Sequence, residues 1–355
     1  MDISGLFKDK RNFLKKTLLI ILIVIISIAI YNYELLKYGI NQGIGQFKII
    51  YNSKPINTVL ADSGFPDSLK LKLRLIAEIR NFAFDSLGIN PNENYTTVYD
   101  QKGKPILWIV TACEPYELKA YEWKFPVIGT VAYKGFFDLE KAKEEEEQLK
   151  KQGLETSIDE VAGWSTLGWF KDPVLSSMLY RQPGSLANLI IHELAHGTLF
   201  VKNNVDFNEN LASFVGDQGA AMFLKSKYGN ESKELIKYNQ RKTFQKKYSK
   251  LILSQSKTLD SLYKSLNLEK SNSEKKELKK IFYQKFIQQI IHLYHQEGVY
   301  FEGLNQNLEK INNTFYMDEK RYKEQQNSFE QEFKNKFSSN FKLYFKYLKN
   351  KYPSV

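Results

Sequence analysis

Leu189–Val201, which reads L-I-I-H-E-L-A-H-G-T-L-F-V, constrains this chain more than any other stretch. Positions i and i+4 of an α-helix lie one above the other on the same face. His192 and His196 can therefore turn both imidazoles towards one ion. Glu193 lies about 100° round the helix from His192, which sets its carboxylate beside such an ion rather than on it. From there it can take a proton from a water that the metal activates. Leu189, Ile190, Ile191, Leu194, Ala195, Leu199 and Phe200 leave almost no polar face, as in a core helix. Polar side chains on a core helix need a reason to be there. The bland reason is two histidines satisfied by their neighbours. Against it, the chain has only 4 histidines, and two of them fall at this spacing around a glutamate.

A catalytic zinc keeps three protein ligands and leaves a position for water. The segment F-N-E-N-L-A-S-F-V-G, Phe207–Gly216, opens a second expected helix that ends before Gly229. Glu209 near its start is the expected third ligand. Ala212, one turn on, is small enough to let the two helices pack closely. The short connection Lys202–Asp206 predicts an antiparallel pair. Asp217, two turns beyond Glu209, is a candidate for orienting a histidine N–H. The other reading of Glu209 is a first-turn glutamate favoured by the helix dipole.

The chain has 355 residues and a formal charge of +11, from 51 Lys+Arg against 40 Asp+Glu. The excess is mostly lysine and is spread out, as on solvated helix faces, so no nucleic-acid partner is expected. Cys113 is the single cysteine, which excludes an intramolecular disulfide and a thiolate-built zinc site.

At the amino terminus, Lys8, Lys10, Arg11, Lys15 and Lys16 precede the uncharged run Thr17–Tyr31. With Phe13, Leu14 and Tyr33 at its edges, that run reaches the lower limit for spanning a bilayer. The basic flank predicts a cytoplasmic start with the remainder on the outer face. A cleavable signal peptide is the rival reading. Its only small-residue site, Ser27-Ile28-Ala29, lies inside the apolar run.

Further along, helices are expected over Glu34–Tyr51, with Gly43–Gln46 a weak point, over Asp67–Leu87 with Gly88 as its stop, and over Leu139–Gln152. Strands are expected at Ile106–Ala112, Val127–Tyr133 and Leu154–Val161. The stretch Ala162–Pro173, with Gly163, Trp164, Ser165 and Thr166, could line a cleft edge where a peptide adds as a strand. Ser185 is the expected cap of the H-E-x-x-H helix. Beyond Gly229, long amphipathic helices are expected over Asn230–Leu266, Lys275–Glu297 and Asp318–Tyr352, the last capped by Asp318 and carrying Phe329, Phe333, Phe337, Phe341, Tyr344, Phe345 and Leu348 near helical spacing, with Ser271–Ser273 a loop. His292 and His295 sit three apart on the middle one; a His there could stabilise an oxyanion, but ordinary surface or core placement is the expected reading. The fold class is α+β and mostly α: a small mixed sheet ahead of the helix pair, a C-terminal helical lobe, and one N-terminal transmembrane helix. The expected domains are a basic cytoplasmic segment (1–16), an anchor (17–33), a catalytic domain (34–230) and the helical lobe (231–355).

The chain resembles a bacterial family of predicted aminopeptidases associated with the thermolysin-like, or gluzincin, zinc peptidases. The matching segments are Glu78–Ala83, Phe125–Phe137, Ser165–Pro173, Leu189–His196, Phe207–Ala212 and Ile311–Thr314. The resemblance implies one zinc ion on His192, His196 and Glu209, Glu193 as the proton acceptor, and a peptide substrate. Members often carry a lipoprotein cysteine after the apolar segment, and this chain has none. It also has Trp164 where the family tends to have Tyr, which leaves Tyr133 and Tyr180 as candidates for stabilising an oxyanion. An aminopeptidase must bind the substrate's ammonium group, for which Glu114, Asp159 and Glu160 are candidates. The rival readings are an endopeptidase or other amidase, and a membrane-tethered helical interaction protein without catalysis.

Overall fold

The computed structural model describes residues 3–126, 129–161, 163, 166, 170–266, 271–299 and 311–352. The chain divides into two compact units, Met1–Tyr51 and Asn52–Val355. The first unit is helical. Helix α1 spans Ile3–Tyr31 and α2 spans Tyr33–Asn52, continuous through Gly43–Gln46. On α1 the side chains of Leu18, Leu19, Ile20, Ile21, Leu22, Ile23, Val24 and Ile26 are exposed. Among the described residues no helix is long and apolar enough to cross a membrane.

The second unit is a mostly helical α+β body with small sheets. It begins with strand β1 (Lys54–Pro55), short helix α3 (Ile56–Ala61) and helix α4 (Asp67–Leu87). Gly88 ends α4 in the left-handed region at φ 75°, where an L side chain would be strained. Next come β2 (Thr97–Tyr99), β3 (Trp108–Cys113), β4 (Trp123–Phe125), β5 (Gly129–Val131) and β6 (Lys134–Phe136). Helix α5 (Leu139–Lys151), capped by Asp138, leads into β7 (Glu155–Glu160). Strand β8 (Val174–Leu175) and a 3₁₀ turn at Ser176–Tyr180 precede the helix pair.

The strands form three small sheets rather than the one expected. The orders are β1-β2-β8, with β8 parallel to β2, β6-β3-β7, antiparallel throughout, and the hairpin β4-β5. Of the strand expected over Val127–Tyr133, Gly129–Val131 is strand β5, with Val127 and Ile128 outside the described residues, and β6 begins beyond it at Lys134 in a different sheet.

Helix α6 (Pro183–His196) and helix α7 (Val205–Tyr228) form the centre of this unit. Leu186, Ala187, Ile190, Ile191 and Leu194 of α6 are wholly buried. Ser185 does not cap α6. Proline is pre-set for the first helical position, so Pro183 starts the helix two residues earlier behind Gln182. The Ser185 hydroxyl accepts instead from Arg241 Nη1 at 2.6 Å.

Helix α8 (Lys233–Ser265) and helix α9 (Asn272–Gln296) follow. Ser271 and Glu274 make a reciprocal capping box, so the expected Ser271–Ser273 loop is the cap and first turn of α9. The last stretch is three helices rather than one: α10 (Asn313–Lys323), α11 (Gln326–Phe337) and α12 (Phe341–Lys351). Ser338 and Ser339 take left-handed φ values of 47° and 61° and turn the chain back. The aromatic stripe read as one face is thereby folded on itself, with the Phe333 and Phe341 rings 4.3 Å apart and both packed on Phe214 of α7. Asp318 caps nothing. It lies inside α10, paired with Arg321 at 2.7 Å, and Asn312 is the cap. The unit runs undivided through residue 230, so these helices share one body with α6 and α7.

Candidate metal centre

Close approach of α6 and α7 depends on small residues. A Cβ on Gly216 would lie 2.9 Å from the Asn188 carbonyl and 3.1 Å from His192 Cβ. A Cβ on Gly219 would lie 2.8 Å from Leu87 and 3.0 Å from Ile191. Asn188 meets Asp217, while His196 meets Glu209. Contacts that advance on one helix as they retreat on the other define an antiparallel pair.

That pairing gathers three side chains. His192 Nε2 lies 3.4 Å from Glu209 Oε2, His196 Nε2 lies 3.5 Å from the same oxygen, and the two ring nitrogens are 3.2 Å apart. His192, His196 and Glu209 form a group that could hold a metal ion. Burial alone would raise the Glu209 carboxyl, but the two imidazoles outweigh it and hold it well below the usual carboxylate range. Burial alone would favour neutral His196, yet Glu209 reverses this and raises it. Glu209 and His196 thus each favour the charged form of the other. His196 Nδ1 is buried and has no hydrogen-bond partner among the described residues.

Consecutive residues on a helix point about 100° apart, and N-E-N uses all three directions. Asn208 faces the α6–α7 turn, where it accepts from Val201 N and donates to Val201 O, both at 2.8 Å. Glu209 faces the histidines. Asn210, wholly buried, faces the far end of α10, where its amide donates to the carbonyls of Lys320 and Arg321.

Glu193 stands beside the cluster. Its carboxyl is raised by burial, partly opposed by His192 and His196 and reinforced by Glu209. Gly163 lies against it: a Cβ there would come within 2.5 Å of Glu193 Oε1. Thr166 is held nearby. Its backbone N donates to the Asp172 carboxylate at 3.1 Å, and its hydroxyl donates to Asp172 Oδ1 at 2.8 Å. Asp172 is itself wholly buried and also accepts from Asn94 Nδ2 at 3.2 Å. Trp164 and Ser165 lie outside the described residues.

Other candidates fall elsewhere. Asp217 accepts from Asn188 Nδ2 at 2.6 Å and pairs with Lys242 at 2.5 Å. In an antiparallel pair, two turns beyond Glu209 lies opposite one turn before His192, so Asp217 meets Asn188 rather than a histidine. Glu114 is exposed at the end of β3, and its carbonyl accepts from Asn313. Asp159 and Glu160 are exposed at the end of β7. Tyr180 is 75% exposed. Tyr133, by contrast, lies close enough to Tyr322 to act on its phenol, and has the Arg321 guanidinium 5.8 Å over its ring. His292 and His295 are exposed on α9.

Sequence reasoning missed Tyr322. The last turn of α10 brings its ring centroid to 6.4 Å from that of His192. Burial pushes its phenol well above the ordinary value, with Glu209 and Tyr133 adding to the effect, so it remains a neutral donor. No motif marks it, because its relation to the cluster exists only through the packing of α10 on α7.

A family model described as "Putative aminopeptidase" matches residues 37–351. The chain belongs to that family. The match spans the helix pair, Glu193 and the three helices of the C-terminal stretch. No curated protein and no solved structure matches the chain.

Proposed function

We propose that the protein is a zinc-dependent aminopeptidase with the thermolysin-like ligand set His192, His196 and Glu209. The observation that carries this reading is the mutual spacing of the three donor atoms, 3.2–3.5 Å. Zinc holds nitrogen and oxygen ligands at about 2.0–2.2 Å in tetrahedral array, which separates neighbouring donors by roughly 3.3 Å. Two neutral imidazoles and a carboxylate are also the donor chemistry this ion takes. When bound there, zinc supplies a Lewis acid that polarises a carbonyl and acidifies water.

The chain's own residues supply the rest. Glu193, raised by burial, accepts a proton from the attacking water and passes it to the leaving amine. The Tyr322 phenol donates to the carbonyl oxygen as negative charge builds there. Gly163 presents backbone beside Glu193, where an extended peptide can pair with it. The single-pass anchor that would hold the catalytic unit on the outer side of a membrane rests on the sequence alone, on the uncharged run Thr17–Tyr31 behind Lys8, Lys10, Arg11, Lys15 and Lys16.

Purified protein should contain about one zinc per chain and should cleave peptides with a free amino terminus while sparing their acetylated counterparts. Equal cleavage of both would make it an endopeptidase. A metal-free preparation that stays inert after zinc is added would remove the reading altogether.

A further inference from the structure

Helix α10 ends at Lys323, where the Lys320 carbonyl accepts from Glu324 N at 3.1 Å and the Tyr322 carbonyl from Gln326 Nε2 at 3.0 Å, and Gln325 N, the backbone donor that would serve Arg321, is turned to another acceptor. A side chain from another helix takes the Arg321 carbonyl. The Asn210 amide is shared among the carbonyls of Lys320 at 3.3 Å, Arg321 at 2.5 Å and Asp206 at 2.9 Å. Its Oδ1 accepts from Gln325 N at 2.9 Å, and its own carbonyl accepts from Gln326 Nε2 at 2.8 Å. One wholly buried residue thus binds the end of α10 and the start of α11 at once. Asp206, one turn earlier on the same face of α7, approaches Arg321 Nε at 3.7 Å.

The position of this clamp is informative. Asn210 directly follows Glu209, so the two Cα atoms are about 3.8 Å apart on one rigid helix. Arg321, whose carbonyl it holds, directly precedes Tyr322. Two covalent neighbours and one hydrogen-bonded contact therefore connect the candidate metal cluster to the phenol that faces it. Only asparagine has the shape for this. Alanine removes the donor to the Arg321 carbonyl and the acceptor for Gln325 N, aspartate turns an oxygen towards the carbonyls, and glutamine is a methylene too long for a fully packed position.

We propose that Asn210 is a positioning residue that sets Tyr322 against the His192–His196–Glu209 cluster. The proposal rests on the peptidase reading for what Tyr322 does, and on the geometry alone for how Tyr322 is held.

The test uses the full-length, zinc-loaded protein with Asn210→Ala and Tyr322→Phe, singly and combined. The readouts are kcat on a free-amine peptide, zinc content, and amide hydrogen exchange over residues 318–326. Tyr322→Phe should lower kcat about 100-fold and Asn210→Ala about tenfold, both with zinc retained. The double variant should fall no further than Tyr322→Phe alone, because Asn210 acts through that phenol. Exchange over 318–326 should rise in Asn210→Ala and stay unchanged over 189–196. Multiplying losses, or a kcat loss that tracks zinc loss, would overturn the proposal. Should Asn210→Ala fold poorly, Asn210→Asp keeps the size and the acceptor for Gln325, and the same non-additivity is expected. If no peptide is cleaved by the parent protein, the peptidase reading fails. Hydrogen exchange then decides the clamp by itself, and unchanged exchange over 318–326 would end it.

Discussion

Two buried polar clusters in this molecule use similar residues to opposite ends. Around Asn313 every group named here has a partner. Asn313 Oδ1 accepts from the hydroxyls of Tyr263 and Tyr283 at 2.7 and 2.6 Å, and its amide donates to the Glu114 carbonyl at 2.7 Å. Its backbone N donates to Glu155, which also accepts from Lys279 at 2.5 Å. Lys279 in turn stands over the rings of Tyr116, Tyr263 and Tyr283. Charge, hydrogen bonds and shape are completed within the protein, and the result ties α8, α9 and α10 to the β3–β7 pair. At His192, His196 and Glu209 three donor atoms converge, two of them on the same carboxylate oxygen, and among the described residues His196 Nδ1 has no hydrogen-bond partner. A closed network holds the fold together; a set of lone pairs aimed at one point is a group that could hold a metal ion.

The largest effect that could break this contrast is at Glu193. If the open cluster is chemical rather than structural, Glu193→Gln should lower kcat by about 10²–10⁴-fold with zinc content and melting temperature unchanged. Turnover within a few-fold of the parent, measured on the same peptide, would remove Glu193 from the chemistry. A collapse in melting temperature would instead make it a structural residue like Glu155.

The reciprocal change lies in the closed network. Lys279→Met keeps the apolar stem but leaves Glu155 without its cation, and breaking a buried pair costs about 3 kcal/mol of stability. Burial has already lowered the Lys279 ammonium, opposed by Glu155, so the charge survives through that partner. Denaturant unfolding should therefore show a clear loss, while kcat per folded molecule stays at the parent value. A fall in kcat under conditions where the variant is fully folded would merge the two clusters into one functional unit.

The same contrast explains how much of this structure could be read from the chain. The H-E-x-x-H helix, its partner and the third carboxylate were legible because local periodicity places i and i+4 together, and because a short connection forces neighbouring helices to pair. Helices α4 and α5 and strand β7 were legible from apolar spacing and from stops such as Gly88. Long-range packing was not. Nothing at Tyr322 tells the reader that α10 docks on α7, and nothing at Asp172 tells that a carboxylate organises Thr166 and Asn94. The asparagines flanking Glu209 carried a signal that went unread: amides on either side of a candidate ligand, on a buried helix, must each have a partner. The C-terminal stretch misled for a physical reason. A period of 3.6 residues persists whether a chain continues straight or doubles back, so the aromatic pattern alone could not reveal the turn at Ser338 and Ser339.

The smallest expected effect sharpens the comparison most finely. Gly163 touches the open cluster only through Glu193, so a single methyl there tests whether carboxylate placement matters apart from stability. A Cβ at Gly163 would sit 2.5 Å from Glu193 Oε1 and 3.0 Å from Leu189 Cδ1, and both are ends of side chains that can move. Relief costs little stability, within about 1 kcal/mol for a flexible neighbour. The carboxylate, however, must leave the position from which it reaches the attacking water, and a displacement near 1 Å at a proton-transfer group is worth up to about 10²-fold in rate. Gly163→Ala should thus lower kcat several-fold or more while melting temperature and zinc content stay at the parent values. A variant with unaltered kcat would mean that Glu193 works from more than one position, and the geometry beside the cluster would then matter less than its charge.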